Sequence, residues 1–491
     1  MVELARSVLK NVFFNSASAL VRGFGGFLFS VVLARFLAPD LYGIYALATS
    51  LCFFILHLDP GIGYTATRYI SYAMGRKDEI SARGYFLFLF KIRFVLGLIF
   101  AISLLILAKP LSFLVFNKPL LFIPLEILSI FLFFFFLTDF LDCCSKAFQN
   151  FKYPALRHTI YELLKFGIVL IFLSIGFFYG IFIGITIAAF ITFLLIFFIL
   201  RKKYYFLFKG AVRKIDERRV LRYLGFMSIG SISGMVFAYV DIIMLGIFLP
   251  SEYAGYYKVA TNIIFGIGGL IAITGVLFPV FTQLEGNSLE NAFKKVFKYS
   301  IVLSLPLVVS IAYFSSQIIK VVYGDGYLPA SLPLLILSPV IIFNSINFFE
   351  SLFGAKEKPE YNSAISIASM SLNVILNYFL IIHFGLLGAA VATLISRFFR
   401  IVSMGILSYY ILGIAPETSS IYKPLLASLA MFIVLQLMPY PENIFLGVFE
   451  FCLALAIYFS VLFLIRGLEL EDLRYVKMVV GADFSYFNKQ R

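Results

Sequence analysis

Tryptophan is absent from this chain, and charge is scarce: 13% of the 491 residues are Asp, Glu, Lys or Arg. A soluble protein carries roughly 25%. That leaves too little polar surface to cover a soluble globule, which excludes soluble enzymes and nucleic-acid-binding modules. Cysteine and histidine are also few. Cys52, Cys143, Cys144 and Cys452 lie in or beside apolar runs without metal-ligand spacing, and His57, His158 and His383 are far apart. Paired carboxylates, a nucleophile elbow and a phosphate-binding glycine loop are all missing, so this chain is not expected to hydrolyse ATP or to be an enzyme. A cleavable leader is not expected either. Met1 to Lys10 is polar, and the apolar run behind it is too long.

What is abundant is hydrophobic surface, at 62% of residues with a mean hydropathy of +0.98. At about 20 residues per span, this suffices for about fourteen helices. Runs bounded by charge, Gly or Pro place them at 11–36, 42–66, 85–107, 119–142, 158–178, 180–200, 222–248, 253–281, 298–320, 329–353, 360–383, 386–411, 420–438 and 443–465. The runs lack the period-2 alternation of barrel strands. The expectation is an all-α polytopic membrane protein. With the N-terminus inside, 29 Lys and Arg fall in inner segments. Only five, Arg35, Lys109, Lys118, Lys258 and Lys320, fall in outer connections. Both termini are then cytoplasmic. Most of the net +14 is this bias and implies no nucleic-acid partner.

The basic connection 201–221 divides the chain. Residues 1–200 form a first six-helix bundle and 222–411 a second, followed by two extra spans in 412–466 and a cytoplasmic tail, 467–491. An internal repeat supports the division. Shifted by 212, residues 33–49 overlay 245–261, with identities at Leu33/Leu245, Phe36/Phe248, Leu37/Leu249, Gly43/Gly255, Tyr45/Tyr257, Ala48/Ala260 and Thr49/Thr261. The matched Gly and Tyr lie where hydrophobicity cannot explain them. An offset of six spans makes the repeats parallel, a common plan for transporters with a central cavity.

Four segments carry a family resemblance: ARFLAPDLYGIYALA (34–48), DIIMLGIFLPSEYAGYYKVA (241–260), VVYGDGYLPASLPLLIL (321–337) and FGLLGAAVATLIS (384–396). Together they resemble the oligosaccharide flippase branch of the multidrug/oligosaccharidyl-lipid/polysaccharide exporter superfamily. The resemblance implies two six-helix bundles moving by alternating access. It also implies passage of a polyprenyl-diphosphate-linked oligosaccharide from the inner to the outer leaflet of the cell membrane. Partners would be that lipid-linked glycan, membrane lipids and glycan assembly proteins. A multidrug and toxin exporter is the alternative within the superfamily, and a membrane glycan polymerase or glycosyltransferase the alternative outside it. Lipid II flippases of the superfamily carry an Arg-Asp pair six and seven residues after the first Arg of helix 1. Here those positions are Leu28 and Phe29.

Intramembrane charge is costly and therefore informative. Arg22 sits mid-span in helix 1, Arg397 and Arg400 share a face of helix 12, and Lys91 and Arg93 lie early in helix 3. These five are the candidate substrate contacts, since arginine suits a diphosphate through its planar fork. Snorkelling or local ion pairing is the competing account. Asp59, Pro60 and Gly61 interrupt helix 2 and form a candidate hinge or a helix cap. No cofactor is expected beyond a coupling ion, Na+ or H+. The candidate ion site is Asp241 on helix 7, Asn373 and Asn377 on helix 11, and Ala389 and Thr393 on helix 12. It resembles a sodium site of lipid II flippases in which Asn377 would be a second acid. The competing account is an interhelical hydrogen-bond network.

Overall fold

The computed structural model describes residues 2–59, 61–213, 215–271, 274–441, 443–469 and 472. Pro60 of the expected hinge, Lys214 of the basic connection and 473–491 of the expected tail lie outside them. In chain order the helices are α1 (Val2–Phe36), α2 (Pro39–Leu56), α3 (Ile62–Gly75), α4 (Glu79–Pro110), α5 (Phe122–Ala147), α6 (Lys152–Ser174), α7 (Gly180–Lys203), α8 (Tyr205–Phe208), α9 (Glu217–Phe248), α10 (Ser251–Ile271), α11 (Thr274–Gln283), α12 (Gly286–Val322), α13 (Ser331–Leu337), α14 (Val340–Ser345), α15 (Phe349–Ala355), α16 (Pro359–Leu412), α17 (Ser419–Leu437) and α18 (Ile444–Leu464).

The ends follow local chemistry. Pro39 opens α2, where its missing N–H costs nothing. Asp78, Asp216 and Asn443 cap α4, α9 and α18 through their side-chain oxygens. Gly385, at φ +58°, breaks α16 where the sequence places the boundary between two spans.

Nine helices among the described residues are long and apolar enough to span, or ten if a pair bent by 55° at residues 338–339 counts as one. The count of fourteen is thus not confirmed. The shortfall has a physical cause at α6, which is 23 residues long but carries Arg157, Glu162 and Lys165. The expected span 42–66 is two helices, α2 and α3, separated by 57–61.

The chain forms two compact units. Unit 1 holds 1–266, 322–333 and 366–396, and unit 2 holds 267–321, 334–365 and 397–491. Both draw on the second half of the sequence. Unit 1 has a core of α3, α4, α5 and α7 side chains, including Ile70, Phe86, Phe140 and Ile196. In unit 2, Phe293, Phe348 and Phe353 centre one core. A second seats α17 and α18 against α12, with the Tyr458 hydroxyl donating to Val302 O at 2.9 Å.

Candidate functional site: a charged cavity and a buried acid

Unit 1 encloses a cavity of about 760 Å³. Its wall holds six cations (Arg22, Arg93, Lys146, Arg157, Lys165 and Lys258) and four acids (Asp59, Asp139, Asp142 and Glu162), with aromatic rings between them. The acids are taken by particular cations. Arg93 is 2% exposed and lies 2.5 Å from Asp59 and 2.9 Å from Asp139. Its Nε donates to Phe136 O at 2.9 Å, and its guanidinium lies over the Phe136 ring. Arg157 pairs with buried Asp142 at 3.3 Å. Lys165 pairs with Glu162 at 2.6 Å. The side chains of Arg22, Lys146 and Lys258 make no hydrogen bond or ion pair among the described residues. The wall therefore carries two positive charges in excess, and three cations face the space uncommitted.

The candidate substrate contacts separate into three situations. Arg22 faces the cavity with no salt bridge among the described residues. Arg93 also reaches it, but as the centre of an ion triad. Lys91, two residues earlier on α4, is exposed and is not part of the wall. In unit 2, Arg397 donates to Asn344 Oδ1 at 3.1 Å and Arg400 pairs with Glu350. Lys258, counted in the sequence as an outer-connection charge, is instead a wall residue on α10. A charge at the start of a span reads as topology, so the sequence alone does not place it in the site. At the expected hinge, Asp59 accepts from the Ile62 N–H at 3.3 Å and so starts α3, with Gly61 left-handed at φ +73°.

The candidate ion-site residues do come together, also within unit 1. Asp241 is buried. Its Oδ1 accepts from Asn377 Nδ2 at 2.6 Å, and its Oδ2 accepts from Thr393 at 2.6 Å and Tyr257 at 2.7 Å. Asn377 Nδ2 also donates to Asn373 Oδ1 at 3.2 Å. Ala389 is buried one turn before Thr393. Asn373 Nδ2 and Asn377 Oδ1 are buried without a hydrogen-bond partner. Tyr257 was not anticipated, although its identity with Tyr45 in the repeat was a signal for it. Among the described residues no cluster of three or more His, Cys, Asp or Glu could hold a metal ion.

A family model described as Polysaccharide biosynthesis protein matches residues 8–285, more than half of the chain. The chain belongs to that family. A curated relative, "Probable low-salt glycan biosynthesis flippase Agl15" of Haloferax volcanii, is 31% identical over 188 residues, 37% of this chain and 40% of the relative's length. The chain thus spans about two fifths of that relative. A lipid II flippase MurJ in an inward closed conformation matches with a TM-score of 0.75 at 16% identity, over 92% of this chain and 98% of that one. A multidrug resistance MATE family transporter of the MOP superfamily, in an inward-facing conformation, matches at 0.62 and 14% identity, over 82% and 98%. At such identities the likeness is one of fold. The superfamily resemblance and the all-α polytopic architecture read from the sequence both stand.

Proposed function

We propose that this protein is a membrane flippase, and not an enzyme, that carries a polyprenyl-diphosphate-linked oligosaccharide from the cytoplasmic to the outer leaflet by alternating access. The observation that supports it best is the charge balance of the cavity. All four acids are held by Arg93, Arg157 or Lys165, and Arg22, Lys146 and Lys258 are left over. A diphosphate diester brings two negative charges, which match the excess of two. Lysine and arginine in a low-dielectric wall attract such an anion far more strongly than in water. Aromatic rings and hydroxyls lining the same space suit sugars. An exporter of organic cations would meet a wall of the wrong sign.

The Asp241 cluster fits the coupling role. As arranged, three neutral donors hold the carboxylate. A cation could enter if the Asn377 amide rotates and turns its unpartnered Oδ1 inward beside the Asn373 and Thr393 oxygens, the hard oxygen set sodium prefers. A proton on Asp241 would reverse the Thr393 or Tyr257 bond instead. We place the protein in the cell membrane with both termini cytoplasmic, from the 29-to-5 bias of Lys and Arg.

The test is reconstitution into liposomes with a lipid-linked oligosaccharide, scoring its accessibility on the far leaflet. Wild type should expose it. Arg22→Ala with Lys258→Ala should slow transport tenfold or more at normal expression, and Arg22→Lys should restore part. Asp241→Asn should remove the response to imposed sodium and pH gradients. Full transport by the double variant would refute the cavity reading. An unchanged ion response in Asp241→Asn would refute the coupling site.

A further inference from the structure

The repeat that connects α1 to α2 and α9 to α10 also makes the two halves touch. Pro39 and Ser251 are 212 residues apart, as are Gly43 and Gly255. A Cβ on Gly43 would collide with the Ser251 backbone, and a Cβ on Gly255 would lie 2.8 Å from Pro39 O. Each helix start is pressed into the space left by the other's glycine, a reciprocal contact of the kind a two-fold axis makes.

Two basic side chains bracket this contact. Lys118, between α4 and α5, donates Nζ to Gly246 O at 2.5 Å and Leu249 O at 2.9 Å, where α9 ends. Arg35, at the end of α1, donates Nε to Val322 O at 3.0 Å, where α12 ends. Helix C-termini present unsatisfied carbonyls and the negative end of the helix dipole, so a cation fits both. The helices involved are spans 1 and 9 in one case and 3 and 7 in the other, which the six-span repeat interchanges. Both donors come from the first half and both acceptors from the second. The Tyr327 hydroxyl adds a bond to Leu37 O at 3.0 Å. Next to these caps, Ser30 bonds Tyr42 at 2.7 Å and Tyr323 at 3.2 Å and accepts from Asn262 at 2.7 Å. Ser30, Tyr42 and Asn262 are also cavity wall. The caps and this network therefore lie on one continuous path from the cavity to the connections assigned outside.

We propose that Lys118 and Arg35 form a two-cation latch that holds the outer end of the cavity shut, and that each transport cycle breaks both caps. The proposal rests on the transport reading above, but its first test needs no substrate. In a background free of Cys52, Cys143, Cys144 and Cys452, Tyr64→Cys reports on the cavity, since Tyr64 is a wall residue and 74% exposed. A membrane-impermeant maleimide applied from outside should label it weakly. Lys118→Met and Arg35→Met should each raise labelling about two- to five-fold, the size of one cation–dipole interaction. Lys118→Arg should stay near the parent. Unchanged labelling in the Lys118→Met/Arg35→Met pair at normal expression would overturn the latch. The second test separates a gate from a static brace. Lys118→Cys with Leu249→Cys, joined by a short thiol cross-linker that reductant cleaves, should stop transport, and reductant should restore it. Full transport by the cross-linked protein would show that the contact never opens. If the substrate reading alone fails, the labelling result stands.

Discussion

Phe29 and Asp241 occupy corresponding positions of the two halves, as do Tyr45 and Tyr257. In the first half the pair is a ring contact, 6.4 Å between centroids, and Lys165 of α6 lies 4.4 Å from the Phe29 ring. In the second half it is a hydrogen bond, 2.7 Å from the Tyr257 hydroxyl to Asp241, and Asn377 of α16 completes it. Helix, partner and neighbour are conserved in plan, and the charge is inverted. The inversion is not symmetrical in energy. Lys165 has Glu162 as counter-charge, so the first half is neutralised within the protein. Asp241 has only neutral donors and no ion pair among the described residues. One duplicated frame thus carries an ion pair in the first half and, in the second, an acid held by neutral donors.

The largest expected effect comes from breaking the paired side. Lys165→Met leaves Glu162, its side chain 12% exposed on the cavity wall, with no other ion pair among the described residues, a loss of up to about 3–5 kcal/mol. The apparent Tm in detergent should fall sharply, and Lys165→Met with Glu162→Gln should recover most of it. A single variant as stable as wild type would mean that the first half is not held by this pair, and the contrast with Asp241 would lose its basis.

A smaller effect sharpens the contrast at the two tyrosines. Tyr257→Phe removes one of three donors to a carboxylate, worth about 1.5–3 kcal/mol. Tyr45→Phe removes a hydroxyl that makes no hydrogen bond among the described residues and should change stability by under about 0.5 kcal/mol. Parallel melts of the two variants check this. Equal losses would show that the repeat mates share one role.

Much of this was readable in advance, for reasons particular residues make plain. Composition alone gives the membrane class. The repeat singles out Gly43 and Gly255, matched where no apolar pattern demands it, but their mutual contact appears only in the structure. Asp241, Asn373, Asn377 and Thr393 were found as polar groups at helical spacing in apolar runs. Lys91 and Arg93 show what sequence hides. They are two residues apart, about 200° around a helix, so one is exposed and the other buried. Which one faces inward depends on Asp59, in the break between α2 and α3, and Asp139 on α5, both at large sequence separation. Lys258 was hidden differently, since a charge near a span end reads equally well as topology or as wall.

The smallest effect concerns the connection that joins the two halves. Asp78 caps α4, accepting from the Ser81 N–H at 3.0 Å and the Ser81 hydroxyl at 2.7 Å, and it pairs with Arg213 of the connection at 2.7 Å. The Ser81 hydrogen bonds, with Arg213 adding to them, hold its carboxyl below the ordinary value. A depressed carboxylate contributes stability that is complete above the unfolded value, about 4, and is lost as pH falls through the folded one. Asn caps a helix nearly as well as Asp, so Asp78→Asn should spare α4 and release only the charge pair to Arg213. Hydrogen exchange across 209–213, corrected for the intrinsic rate, should then rise modestly at pH 7 in the variant. Wild type should show the same rise only as pH drops below about 4, and the variant should show no such step. A step of equal size in both proteins would mean that the connection is held by its other contacts, the Arg83 bond to Phe208 O and the packing of Gly84 against Arg213 O, and that the two halves are joined without help from this charge.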